Sequence, residues 1–220
     1  MKKMMKKIAL VMACIMMAGM LAGCAKSEAS AYLAAVLDNS YKNDSTALVE
    51  LGIATAEDAA AMYEEGLTAE MSSIIKSAGF SEDQIEGLQE IIADFLAGAK
   101  YTVGKAEAQD DGSYIVTVTY KKMNVFGPAF TNFTAEAQAL ITEWSEDFAA
   151  GEEVVSEEEL KEEVFGLFGP AFAEAIANAT YGEPQTTTVR IEKVEDAYKP
   201  NAADLTNLEY LMYDFEILGR

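Results

Sequence analysis

Apolar residues in this chain switch between helical and strand periods, and that switching limits the fold more than any other feature. From Ser30 to Leu96 they recur at three- and four-residue steps, from Tyr101 to Lys121 they alternate, and beyond Pro128 the helical step returns. Such patterning predicts an α+β chain, with helices laid against a short sheet.

The helical faces place the first three elements. Ser30 to Tyr41 turns Leu33, Val36, Leu37 and Tyr41 to one side, and Lys42-Asn43-Asp44 closes it. A longer helix starts at Thr55 and carries Ala59, Met62, Tyr63, Leu67, Met71, Ile74, Ile75 and Ala78 inward until Gly79. Ser81 to Gln84 has capping-box spacing and opens a third helix bearing Ile85, Leu88, Ile91, Ile92, Phe95 and Leu96, which ends near Gly98.

Tyr101–Ala108 and Ser113–Lys121 are expected as a hairpin, because Gln109-Asp110-Asp111-Gly112 offers the positive φ that a tight turn needs. Tyr114, Val116, Val118 and Tyr120 share the face that helices must cover. Pro128 suits the first turn of the next helix, whose buried stripe reads Phe130, Phe133, Ala137, Leu140, Ile141, Trp144 and Phe148, up to Gly151. Ser156 and Glu159 form a second capping box. The helix they open carries Leu160, Val164, Phe168, Phe172 and Ile176 inward and is expected to kink at Gly166, Gly169 and Pro170. Gln185–Val194 reads as a third strand and Asn201–Phe215 as a closing helix with Leu205, Leu208, Leu211, Met212 and Phe215 inward. The expected architecture is mainly helical, in the order α-α-α-β-β-α-α-β-α. A small three-stranded antiparallel sheet, hairpin plus one strand, packs against the helices.

The amino terminus bears on the compartment. Lys2, Lys3, Lys6 and Lys7 precede an uncharged apolar run, Ile8 to Leu21, too short for an ordinary membrane span. Leu21-Ala22-Gly23-Cys24 follows and resembles the lipobox of bacterial lipoproteins, whose cysteine receives a diacylglyceryl group before cleavage. The resemblance implies a signal peptide over 1–23, a lipidated Cys24 with a tether over 24–30, and a single α+β domain over 31–220. Six tether residues, Ala25 to Ser30, reach at most about 20 Å. Acyl chains contributing about 0.8 kcal/mol per buried methylene would hold the domain on the extracytoplasmic face of the cell membrane.

Cleavage at Cys24 removes four of the 16 basic side chains and none of the 37 acidic ones, so the net charge moves from −21 to −25. A chain so acidic is a poor partner for nucleic acid, whose phosphates need lysine and arginine. Cys14 also leaves with the signal, and lipid occupies Cys24. With no histidine in the chain, disulfides, thiolate chemistry, histidine triads and imidazole zinc sites are excluded. Glu152 to Glu163 holds seven glutamates but lacks the spaced ligands and glycine of a calcium loop. It reads as a solvated helix start with four or more acids in the first turn. Asp110-Asp111-Gly112 belongs to the hairpin. No metal, cofactor or catalytic residue is expected, and the chain reads as a non-enzyme.

Several strings resemble uncharacterised surface lipoproteins of Gram-positive bacteria, a family built on a domain of unknown function. They are the lipobox, Ala31-Tyr32-Leu33 with Tyr41-Lys42-Asn43-Asp44, Met62-Tyr63-Glu64-Glu65-Gly66, Asp110-Asp111-Gly112-Ser113-Tyr114 and Tyr198-Lys199. The resemblance runs through most of residues 30–215, implies a membrane partner through the anchor, and carries over no site residue apart from Cys24.

One internal echo is left. Phe126-Gly127-Pro128-Ala129-Phe130 recurs as Phe168-Gly169-Pro170-Ala171-Phe172. Either the prolines relieve turns while the rings pack in the core, or the two strings face each other and present four rings to a ligand or partner. Two functions follow. The first is a non-catalytic binding module at the cell envelope that engages another envelope protein or itself. The alternative is a receptor for an unknown small ligand, with a pocket between sheet and helices lined by some of Tyr63, Phe126, Phe130, Trp144, Phe168, Phe172 and Tyr181.

Overall fold

The computed structural model describes residues 26–78, 82–152, 154–194 and 197–218, with side chains omitted at 26–27, 69–87 and 218. The expected signal peptide and Cys24 lie outside these residues, as do the Ser81 cap and the inward side chains from Met71 to Ile85.

Helix α1 (Lys26–Lys42) begins four residues before Ser30, so most of the stretch read as a tether is helical, and Ala29 is already buried. Its expected face holds, with Leu33, Val36, Leu37 and Tyr41 all in the core. A short helix, α2 (Thr46–Glu50), was not expected and sinks Leu48 into the same core. Thr55 caps α3 (Ala56–Ala78): its hydroxyl accepts from the Asp58 N–H at 3.1 Å and donates to the Asp58 carboxylate at 2.7 Å. Helix α4 (Glu82–Ala97) then brings Leu88, Ile92, Phe95 and Leu96 inward.

Strands β1 (Lys100–Ala108) and β2 (Tyr114–Asn124) form the expected hairpin, closed by Gly112 at φ 80°. The sheet has four strands rather than three, all antiparallel, in the order β1-β2-β3-β4. Strand β3 (Thr180–Val194) starts five residues earlier than expected, and β4 (Ala197–Pro200) pairs with its last turn of chain. Pro184 hid the first half of β3, since proline argues against a central strand. It is tolerated because β4 reaches only Ile191–Val194, leaving the rest of that edge of β3 without a neighbouring strand.

Helix α1 lies on β1 and β2, while α8 (Ala202–Met212) lies on β2 and β3. Together they cover Val116, Val118, Val189 and Ile191, each fully buried. The opposite face carries Thr102, Thr119 and Thr186 in one cross-strand row, with Thr117 beside Thr188 in the next.

Between β2 and β3 the chain makes α5 (Phe126–Ala150), α6 (Glu157–Gly166) and α7 (Phe168–Ala177). The expected kink at Gly166 to Pro170 is a full break, with Leu167 shared between two helices. Pro170 is the third residue of α7, as Pro128 is of α5, where a missing N–H leaves no helical bond unmade. The capping box at Ser156 and Glu159 forms as expected, but the first turn of α6 holds three glutamates rather than four. Helix α8 stops at Met212, capped by Asn201, so Phe215 opens a separate 3-10 turn (Phe215–Leu218). Among the described residues no helix is long and apolar enough to cross a membrane.

Candidate functional site

The echoed pentapeptides meet. Phe126 stacks on Phe172 with ring centres 5.4 Å apart, and Phe130 lies 6.2 Å from Phe168. The pairing is reciprocal, the first ring of one string against the last of the other, so the two helix starts run antiparallel where they touch. Ala129 and Ala171, the fourth residue of each string, are buried, which allows the helices to approach closely. Phe95 of α4 closes the group, 5.4 Å from Phe126 and 5.5 Å from Phe172. The strings therefore do face each other, and their rings pack on one another.

The start of α5 depends on a residue remote in sequence. Val125 offers no capping side chain, and the buried carboxylate of Asp214 takes that part. Its Oδ1 accepts from the N–H groups of Val125 and Phe126, both at 3.1 Å, and its Oδ2 from Gly127 at 3.2 Å. Nothing local in the sequence marks Asp214 for this role.

Tyr63 and Tyr181 belong to the same hydrophobic cluster as the phenylalanines. Tyr63 is buried on α3, and burial, with Glu64 and Asp94 nearby, pushes its hydroxyl above the ordinary tyrosine range. Tyr181 on β3 donates to the Gly98 carbonyl at 2.8 Å, and the Lys100 ammonium sits 3.5 Å from its ring centre. Tyr181 thus ties β3 to the end of α4 and the start of β1. Trp144 is eighteen residues along α5 from Phe126, about 27 Å at the helical rise. Of the seven expected residues, the structure brings Phe126, Phe130, Phe168 and Phe172 into contact and sets Trp144 far along α5. An open groove of about 360 Å³ lies elsewhere, between α4 and α7, lined by Ile91, Asp94, Ala97, Gly98, Ile176 and two alanines.

The far half of α5 departs most from expectation. Its stripe is buried only as far as Ala137; Ile141 is 45% and Phe148 63% exposed, and Val155 in the following loop is 39% exposed. No residue of α6 is buried. The two helices make an arm, turned at Gly151 by a left-handed residue at φ 79° whose N–H and that of Glu152 return to Phe148 and Asp147. Trp144 and Phe148 stack nearly parallel, 5.4 Å apart, and the Trp144 indole N–H donates to the Val155 carbonyl at 2.8 Å. The reason the stripe is uncovered can be read in α6. Seven of the twelve residues from Glu152 to Glu163 are glutamate, so the neighbouring helix has little apolar surface to offer.

No family model matches the chain, and no curated protein does. Among solved structures it is similar to the crystal structure of ycdA from Bacillus subtilis subsp. subtilis str. 168, described as a candidate lipoprotein, at 14% identity and a TM-score of 0.54. The match covers 86% of this chain and 56% of the other. At that identity the likeness is one of fold.

Proposed function

We propose that this chain is a lipid-anchored, non-catalytic binding module on the outer face of a bacterial cell membrane, and that the α5–α6 arm is its docking surface. One observation carries the reading: Ile141, Phe148 and Val155 are exposed apolar side chains around a half-buried Trp144 that stacks on Phe148, on an arm whose second helix buries no residue. Exposed aromatic groups with acidic surroundings are costly to leave in water and are common at protein interfaces. The lipobox at Cys24 supports the anchor, and so does the description of the ycdA neighbour as a candidate lipoprotein. Lacking histidine and any thiol beyond the signal and the lipidated cysteine, the chain has few groups for acid–base or nucleophilic work.

The receptor reading ranks second. The groove between α4 and α7 has the volume for a small ligand, but Asp94 is its one polar side chain, too few to orient a bound molecule.

Two experiments on cells test the proposal. A clickable fatty acid should label the wild-type chain and leave Cys24→Ser unlabelled and unanchored. A photo-crosslinking amino acid at Phe148 should give a discrete adduct, whereas one at Thr117 on the open sheet face should not. Loss of labelling would remove the anchor, and equal or absent adducts at the two positions would remove the docking surface.

A further inference from the structure

We infer that the arm docks a cationic, amphipathic face of a partner protein, a proposal that rests on reading the chain as a binding module. Ile141, Trp144 and Phe148 follow the i, i+3, i+7 spacing of one helical stripe, with Val155 beside it across the turn. Between Glu136 and Glu163 the arm has eleven acidic side chains and one basic one, Lys161. The local field therefore selects the occupant. A second copy would bring the same acids against the first, and like charges at an interface are repelled. An anionic lipid surface is repelled in the same way. A partner segment with apolar residues on one face and lysine or arginine around them meets both the stripe and its charge.

The internal bonds of the arm do not account for the exposed groups. Trp144 braces the turn through Val155, yet Phe148 beyond it stays largely in water and Ile141 is 45% exposed. These side chains are not needed for the core, so substituting them tests binding rather than folding.

Trp144 is the only tryptophan in the chain, so intrinsic fluorescence reports on the proposed surface directly. The probe is a synthetic peptide with leucines on one helical face and lysines on the other, added to the full chain. Its binding should shift Trp144 emission to shorter wavelength. The affinity should fall roughly tenfold between low salt and about 0.5 M, as screening of the acids requires. Ile141→Ser with Phe148→Ser should abolish the shift while circular dichroism stays unchanged, and Glu143→Gln with Glu146→Gln should weaken it. An equal shift from the same peptide with glutamates in place of lysines would overturn the cationic partner and leave the binding module standing. A shift in the serine double variant, a shift with anionic phospholipid vesicles, or no shift with the lysine peptide would each overturn the inference. The Phe148 photo-crosslink then judges the module reading separately.

Discussion

Asp214 lies two residues beyond α8, is 2% exposed, and holds three N–H groups at the start of α5. Hydrogen bonds to a charged group contribute about 1.5–3 kcal/mol each where buried, and they are not additive within one cap. We therefore expect Asp214→Ala to lower stability by about 3 kcal/mol in urea denaturation, and Asp214→Asn by less, since an amide oxygen still accepts. Two exposed carboxylates respond to pH. Hydrogen bonds from the Ser113 hydroxyl and N–H, helped by Arg190, hold Asp111 below the ordinary aspartate value of 3.8. The Ser156 N–H and hydroxyl hold Glu159 below 4.5. A folded value below the unfolded one means the contribution to stability is complete above the ordinary value and is lost as pH falls through the folded one. An NMR titration should find both carboxylates among the last to protonate, with the hairpin turn and the α6 cap loosening only on the acid side of those ordinary values.

At the scale of elements, the arm and the pentapeptide pair predict opposite responses. Phe126→Ala and Phe172→Ala should each cost about 3–5 kcal/mol, and the double variant should cost clearly less than their sum because the two rings share one contact. Phe148→Ser should change stability by no more than about 0.5 kcal/mol, as expected for a side chain outside the core. A loss as large as that of Phe126→Ala would place Phe148 in a contact the fold depends on. The starts of α3 and α6 and the hairpin were legible in the sequence, because each is specified by residues near one another: Thr55 with Asp58, Ser156 with Glu159, and Gly112 in its turn. It misjudged the end of the α5 stripe. Periodicity reports that Ile141 and Phe148 share a face with Ala137, and it is silent on whether anything lies opposite.

Across the whole molecule, α1 and α8 press on one face of a four-stranded sheet, while the start of α5 packs in the core and its far half, with α6, leaves Ile141 and Phe148 exposed. Native-state hydrogen exchange should follow that division. Amides of β2 and β3 should exchange only on global unfolding, and those from Gln138 to Gly166 should exchange first, through local opening. Uniform protection along α5 would contradict an arm independent of the core.

The sequence by itself determined the alternation of helical and strand periods, the caps and the turn, because each is an interaction among neighbours in the chain. It also determined the acidity of the arm and the absence of histidine chemistry, which are matters of composition. Only the tertiary structure decided that β4 joins the sheet, that Asp214 caps α5, that the two pentapeptides pack on each other, and that Ile141 and Phe148 stay uncovered. Those outcomes depend on which surfaces meet across dozens of residues, and a side chain's burial is a property of its partner as much as of itself.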